Sequence, residues 1–520
     1  EDNIFPPQKK FAITIIKQIE TSETSLMRST LRVILPNMLL TLGLASFTAQ
    51  AETLVDKCSS PNDFSEILNC YKNQEASKPL LYVAKGTQVF PGVEKRSFDL
   101  SSQQWSPEGL VSPEQWKHSV DIYIPHNALH GQALLVANNG TNIPAGNKAK
   151  SEPTDFTQAM ALEVARQTNT IVISLSNIPN QYLTYADDGV PRTEDSSVAH
   201  SWKLFLESPE TRPYMSAHVP MMASLVKAMD LAQKELKPWN VERFIASGVS
   251  KRAWAAWLAA IADERVNAVV PFVIDGLGTA KVFEHTFQTY GKNWPLAFYD
   301  YYSEGVLRLR HTENFEKLLK IVDPLAYLDS AYAERLAIAK YIVNASSDDF
   351  FTPDNSDIYF DRLPGPKSLR VAPNSSHNGI RQFVESSLIP VVNRWQQDRP
   401  LPSVTTSATT HGTGKAVSLH FTEAPVQVTQ WTAVNPMARD FRDACGIRYQ
   451  PRHVTPSTPL HAQVQIETPE QGWTATFVEA TFADGFVVTT PVQVLPDRYP
   501  TAAPPETGPL CKTLPEMASR

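Results

Sequence analysis

The sequence predicts an α/β layer followed by a small β-sandwich, and three observations carry that reading. From about residue 81 to 395, apolar β-like runs alternate with amphipathic helical stretches. Several of the runs are continuously apolar, as parallel strands covered on both faces are. Beyond a polar, proline-bearing stretch at 396–410, short alternating runs replace the helices. A chain of 520 residues, 42% hydrophobic and 19% charged, has enough apolar residues for a sizeable core. Its formal net charge of −7, without a Lys/Arg cluster, argues against a nucleic-acid partner.

The segment 27–51 has the three parts of a secretory signal. Arg28 and Arg32 form the basic region, an apolar region follows, and Ala49-Gln-Ala51 is a small-x-small cleavage site. A membrane anchor is the other reading. The apolar stretch is short for a span of about 20 residues and contains Pro36 and Asn37, so cleavage before Glu52 is favoured. Residues 1–26 are expected to be an upstream extension and stay outside the fold argument. No later segment is long and apolar enough to cross a bilayer, so no stable membrane span is expected after signal cleavage.

Export agrees with the four cysteines, Cys58, Cys70, Cys445 and Cys511, all beyond the cleavage site and clustered at the two ends. An even count in an oxidising compartment suggests two disulfides, Cys58–Cys70 and Cys445–Cys511; free thiols are the alternative. No spacing suggests a metal site.

Residues 52–80 read as a mostly helical exported segment. In 81–395 the candidate strands are Ser119–Ile124, Gln132–Ala137, Thr170–Leu175, Arg243–Ser247, Ala268–Ile274, Ala339–Asn344 and Ser368–Ala372. Helical patterns at Thr157–Arg166, Pro220–Leu236 and Lys251–Ala262 separate several of them. Residues 396–410 read as a linker and 411–500 as the β-sandwich, with strands at Ala416–Phe421, Val426–Trp431, Ala462–Ile466, Thr474–Glu479 and Gly485–Thr490. The tail, 501–520, is proline-rich and expected to be tethered by Cys511. Gly412-Thr-Gly-Lys415 is no phosphate loop, because Thr409 stands where that motif needs its first glycine.

The chemistry centres on Ala246-Ser-Gly-Val-Ser-Lys-Arg-Ala-Trp254. A strand turns sharply into a helix at Ser250, the layout of a nucleophile elbow. Gly248 relieves the crowded turn, and Trp254, Trp257, Leu258 and Ile261 form a stripe expected to pack the helix on the sheet. The usual G-x-S-x-G is not met, since Arg252 occupies the last glycine position. A serine N-cap opening a buried helix would look alike.

The downstream residues favour a nucleophile. A nucleophilic serine needs a base, and the base an orienting acid, in chain order Ser, Asp, His in α/β-hydrolases. Asp348 and Asp349 compete for the acid in the loop after Tyr341–Asn344. Asp348 is preferred because it directly follows the short turn. His377, in the loop after Leu369–Ala372, is the expected base. The fold class is therefore an α/β-hydrolase core, with the insert 276–336 placed as a helical cap, followed by the small β-sandwich. The aromatic residues of the cap are either ordinary packing or the lining of a substrate pocket.

The backbone N–H groups of Lys251 and of Gly140 or Thr141 are the candidate oxyanion hole. Lys251 carries a second expectation: its ammonium, one residue past the nucleophile, could reach the developing oxyanion, so that Lys251→Ala would lower kcat/KM about ten- to a thousandfold. Arg192-Thr-Glu-Asp195 and Lys251-Arg252 are charges that either face the site or are solvated.

Together Gly248–Trp254, Asp263–Asp275, Ile178–Gln181, Arg192–Asp195, Asp348–Asp354, Pro373–His377 and Trp431–Arg442 resemble the PhoPQ-activated pathogenicity-related protein family over about residues 80–500. The resemblance implies export, an α/β-hydrolase core, Ser250, Asp348 and His377 as triad positions, and control by a magnesium- and cationic-peptide-sensing system. It implies no settled substrate. The family usually has Asp-Glu where this chain has Asp348-Asp349, which favours Asp348, and usually has glycine where Ala253 stands. The sequence after the serine is also similar to glucuronoyl esterases, whose basic residue there helps hold the oxyanion.

The function expected is a periplasmic or secreted serine hydrolase acting on a small-molecule or peptide ester or amide, without metal or organic cofactor and linked to envelope stress or virulence. A secreted peptidase and a non-catalytic binding or signalling protein on a hydrolase scaffold are the alternatives.

Overall fold

A nine-stranded sheet forms the centre of the protein. The computed structural model describes residue 58 and residues 63–142 and 151–517. The expected signal at 27–51 and the upstream residues 1–26 lie outside them. The sheet consists of β1 (Leu81–Phe90), β2 (Val93–Gln104), β3 (Gln115–Pro125), β4 (Gln132–Ala137), β5 (Ile171–Leu175), β6 (Arg243–Val249), β7 (Val266–Phe272), β8 (Ala339–Ala345) and β9 (Lys367–Ala372). Their order is β1-β2-β3-β5-β4-β6-β7-β8-β9. The first three pair antiparallel, β3 meets β5 antiparallel, and every later pair is parallel. This is the α/β-hydrolase layout. All five residues of β5 are buried, as are six of seven in β6, which is why these strands read as unbroken apolar runs. The two long strands β1 and β2 were not legible as strands, because most of their residues are polar or exposed.

Helices cover both faces. Helix α1 (Ile67–Ala76) lies in the segment expected to be helical, and Lys72 donates to the Ala262 carbonyl at 2.7 Å. That carbonyl ends α5, so the N-terminal segment caps the helix that follows the candidate nucleophile. Helices α2 (Gln158–Thr168), α3 (Glu194–Glu207), α4 (His218–Glu235) and α5 (Lys251–Ala262) follow in order. In α5 every residue is buried, not only the stripe Trp254, Trp257, Leu258 and Ile261. It packs against α4 as well as against β6 and β7. Trp254 of the expected stripe lies on His218 of α4, 4.5 Å between ring centroids, and on Trp202 of α3, not on the sheet, and a helix apolar on most of its circumference belongs inside.

The insert 276–336 holds α6 (Thr279–Thr289), α7 (Tyr299–Ser303) and α8 (Glu313–Val322). Asp323 anchors its start by accepting from Gly278 N at 3.0 Å and Thr279 N at 2.8 Å. Phe283, Phe298, Tyr301 and Phe315 are buried within it. Helix α9 (Arg381–Gln396) then leads to the C-terminal sheets.

The stretch read as a linker, 396–410, is not one throughout: β10 runs over Val404–His411. Its threonines are β-branched, which suits a strand as well as a loop. It pairs with β11 (Gly414–Phe421), and β11 pairs with β14 (His461–Ile466). The other sheet orders β13 (Gln450–His453), β12 (Gln427–Asn435), β15 (Trp473–Thr481) and β16 (Val487–Thr489), with β17 (Gln493–Leu495) also on β15. Val417, Leu419 and Val464 of one sheet share an apolar cluster with Val428, Val478 and Val488 of the other, which makes the pair a sandwich.

The sandwich and the α/β core belong to one compact unit, Glu52–Arg520. Tyr341 of β8 donates to Val487 O at 2.6 Å, and Val371 N of β9 donates to Thr489 Oγ1 at 3.0 Å. The tail does more than hang from its disulfide. Thr513–Pro515 pair antiparallel with Asn293–Pro295 of the cap, and Cys511 is bonded to Cys445 while Cys58 is bonded to Cys70.

Candidate active site

Strand β6 ends at Val249, α5 begins at Lys251, and Ser250 alone makes the turn, with φ 58° and ψ −127°. A positive φ at a residue with a Cβ costs about 1–3 kcal/mol and persists only where its surroundings hold it. Here Ser250 N donates to Phe272 O at 2.8 Å, and Ser250 O accepts from Trp254 N at 3.0 Å. A Cβ at Gly248 would stand 2.7 Å from the Arg252 carbonyl carbon. The glycine two residues before the serine is thus required by the backbone of α5 folding back over it.

His377 Nε2 lies 2.8 Å from Ser250 Oγ. Its Nδ1 lies 2.9 Å from both carboxylate oxygens of Asp348. With Nδ1–H donating to the carboxylate, Nε2 presents its lone pair and accepts from the serine hydroxyl. Asp348 is oriented in turn by the Phe350 N–H at 2.8 Å. The acid and base loops are stitched together, because Ser347 N donates to Ser375 O at 3.0 Å and Asn374 N to Ser346 Oγ at 2.9 Å. The Phe350 ring packs on the imidazole at 4.6 Å between centroids. Among the described residues His377 bonds Asp348 and Ser250, not Asp349. Burial and the Asp348 charge beside it push the Asp349 carboxyl up to about 6.

The register Ala137↔Gly248 sets the loop after β4 beside the serine turn. Of the two candidates there, Thr141 is excluded: its N–H is committed to Ser151 O at 3.1 Å. Gly140 N–H and Lys251 N–H carry no bond to a described residue. Gly140 has φ +119°, and a Cβ there would stand 2.7 Å from Asn177 Oδ1, so the close approach of this loop requires glycine. Its carbonyl accepts from Gln181 Nε2 at 2.7 Å, which sets the plane of the loop.

The Lys251 ammonium is spent elsewhere. It sits 2.9 Å from Glu194 Oε2 and 2.9 Å from Asp195 Oδ2, and the residue is buried. Burial works against the ammonium, but the Asp195 and Glu194 charges outweigh it and raise its pKa. The neighbouring Arg252 is buried too. It donates from Nε to Ile178 O at 2.6 Å, meets Asp155 at 3.3 Å, and bonds Glu194. Asp155 also pairs with Arg381 at 2.7 Å. Glu194 is opposed by its own burial, yet Arg252, Lys251 and the Gln181 amide hold its carboxyl well below the usual carboxylate range.

Gln181 joins the two halves of the candidate oxyanion hole. Its amide donates to Gly140 O at 2.7 Å and Glu194 Oε1 at 2.9 Å, and its carbonyl accepts from Glu194 N at 3.0 Å. Glu194 then reaches Lys251. Glu194, Asp195, Lys251 and Arg252 are therefore an ion-paired framework around the site, its cations buried and its carboxylates half-buried, whereas Arg192 pairs with Asp188 and Glu304. The sequence marks the polar runs but not their partners. Asp155, Gln181 and Arg381 have no local signal of this role.

A family described as "PhoPQ-activated pathogenicity-related protein" matches residues 68–442. The chain is 30% identical over 406 residues to autocrine proliferation repressor protein A of Dictyostelium discoideum, covering 74% of this chain and 79% of that one. Among solved structures it is similar to acetyl xylan esterase 1 from Thermoanaerobacterium sp., at TM-score 0.40 and 14% identity, covering 64% of this chain and 94% of that one. It is also similar to a glucuronoyl esterase from Solibacter usitatus, at TM-score 0.35 and 12% identity, covering 60% and 87%.

Proposed function

The chain belongs to the PhoPQ-activated pathogenicity-related protein family, and we propose that it is an exported serine hydrolase cleaving an ester or amide through an acyl-enzyme. The observation that carries this reading is the continuous Ser250–His377–Asp348 hydrogen-bond chain, at 2.8 and 2.9 Å. Ser250 Oγ attacks the carbonyl carbon while His377 Nε2 takes its proton. Asp348 holds the imidazole and stabilises its charge. Negative charge develops on the carbonyl oxygen, for which the Lys251 and Gly140 N–H groups, without another partner among the described residues, are the candidate donors. His377 then protonates the leaving group, and water repeats the sequence on the acyl-enzyme. Two disulfides support folding in an oxidising compartment, periplasmic or extracellular. The family name supports a link to virulence.

Labelling with a fluorophosphonate tests the reading. The wild-type chain is expected to label at Ser250, and Ser250→Ala to fold and not label. Undiminished labelling of Ser250→Ala would sink the assignment. A second reading, a binding or signalling protein on a hydrolase scaffold, draws on the name of the Dictyostelium relative, an autocrine proliferation repressor. It predicts a folded wild-type chain that does not label.

A further inference from the structure

A cavity of about 40 Å³ opens beside Ser250, beneath the cap. Ser250 and Lys251 line it, whereas His377 and Gly140 do not. That asymmetry identifies which half of a substrate it receives. The group that leaves is the one His377 protonates, so it departs on the imidazole side. Phe350 and Phe351, which pack on the imidazole, line the cavity but His377 itself does not, so the cavity suits what stays bonded to Ser250 Oγ rather than what leaves.

Its size is restrictive. The centre of a water molecule has only about 40 Å³ in which to move there, so the cavity admits a small group and no long chain. Its walls are close-packed rings. Trp254 lies 5.7 Å from Trp202, and Phe283 5.5 Å from Phe298, between ring centroids. Phe298 lies 5.9 Å from Phe350, closing the cap against the acid loop. Each of these side chains except Phe350 is buried, so a longer acyl chain has to displace packed aromatic rings.

Its charge is restrictive as well. The cation on the wall, Lys251, is already held by Asp195 and Glu194 at 2.9 Å. The second Asp195 oxygen accepts from Tyr301 of the cap at 3.1 Å. Among the residues that line the cavity no other cation is available to an acidic acyl group, which would meet the Asp195 carboxylate instead.

We infer that the site takes short neutral acyl groups, of about two or three carbons, presented as esters. This rests on Ser250 being the nucleophile. In the step implied, Ser250 Oγ bonds to the acyl carbon and the bond from that carbon to the alcohol oxygen breaks. His377 carries the serine proton to the departing oxygen, releasing the alcohol and leaving an acyl-serine. Water then attacks the acyl carbon, and the short-chain acid leaves with Ser250 restored.

The test is a series of p-nitrophenyl esters on the purified mature chain, with mass analysis of the Ser250 peptide. We expect acetate and propionate to turn over and to acylate Ser250. On passing from acetate to butyrate kcat/KM should fall about a hundredfold, and octanoate and succinate monoester should give no turnover above background. Phe298→Ala, or Phe298→Leu if the first does not fold, should raise the butyrate-to-acetate ratio about tenfold. A wild-type chain that hydrolyses octanoate as fast as acetate, in a manner lost in Ser250→Ala, overturns the inference and leaves the nucleophile standing. So does a chain that a fluorophosphonate labels but no short ester acylates. Ester turnover that survives Ser250→Ala overturns the nucleophile assignment, and the inference with it.

Discussion

Replacing Lys251 by methionine separates the two roles open to this residue. The side chain is buried and its ammonium lies 2.9 Å from Glu194 and 2.9 Å from Asp195. Methionine keeps the backbone N–H and most of the volume and removes only the charge. Glu194 retains Arg252 and Gln181, so it is not orphaned. Among the described residues the Asp195 carboxylate retains the Tyr301 hydroxyl at 3.1 Å. Breaking a buried ion pair from one side costs about 3–5 kcal/mol. The surviving hydroxyl, and an Asp195 side chain that is 18% exposed, reduce this to about 2–3 kcal/mol. Urea unfolding followed by tryptophan fluorescence reads that loss. The double variant Lys251→Met/Asp195→Asn should recover most of it, because both charges are then gone. On the activity side, kcat on p-nitrophenyl acetate should fall by no more than about tenfold, against the 10²–10³ typical of a lost oxyanion donor. A Lys251→Met chain of wild-type stability whose kcat falls by about 10² or more refutes the reasoning. The ammonium would then act on the reacting oxygen itself, the role expected from its place in the sequence.

The paired aspartates give opposite outcomes. Asp348→Asn should lower kcat by about 10³–10⁴, because the imidazole loses its orienting charge and tautomer, while Asp349→Asn should keep activity. Asp349 in the fold titrates near 6, above the ordinary aspartate value. Its ionised form is therefore penalised, with a cost that sets in above about pH 4 and is complete above the folded value. Asp349→Asn should be more stable than wild type at pH 8 by about 1–2 kcal/mol, allowing for its partial exposure, and equal to it at pH 4; a loss of stability at pH 8 would contradict this. Gln181→Ala should lower kcat about tenfold or more with KM within about twofold, since it frees the Gly140 loop without touching substrate; a change confined to KM would place Gln181 at the substrate instead. Serine replacement of the Cys445–Cys511 pair, which spans 66 residues, should cost about 4 kcal/mol, and of Cys58–Cys70, which spans 12, about 3 kcal/mol. Chemical denaturation checks the order, and a larger loss at Cys58–Cys70 would reverse it.

What could be read from the sequence was local. The turn at Ser250 is written in a strand, two small residues and an alanine-rich helix, because an elbow depends on a few adjacent backbone angles. Asp348 and His377 were legible through chain order, since each follows a strand of the same sheet. The disulfide partners were legible because the cysteines fall into two distant pairs. Other features depended on which surfaces meet. The stripe on α5 indicated one buried face, but α4 and the sheet bury the whole helix. Thr141 and Gly140 are adjacent in sequence, and only the pairing of Thr141 with Ser151 decides that the glycine N–H is left free. Lys251 reaches Glu194 across 57 residues, and Arg381 reaches Asp155 across 226. Periodicity reports which residues are apolar, not which buried charge answers which. Electrostatic partnership and cavity volume depend on distances of a few ångströms between segments far apart in the chain. The sequence by itself therefore determined the fold class and the chain order of Ser250, Asp348 and His377. Tertiary structure alone decided that the lysine beside Ser250 is bound to carboxylates, and that the cavity beside that serine is small.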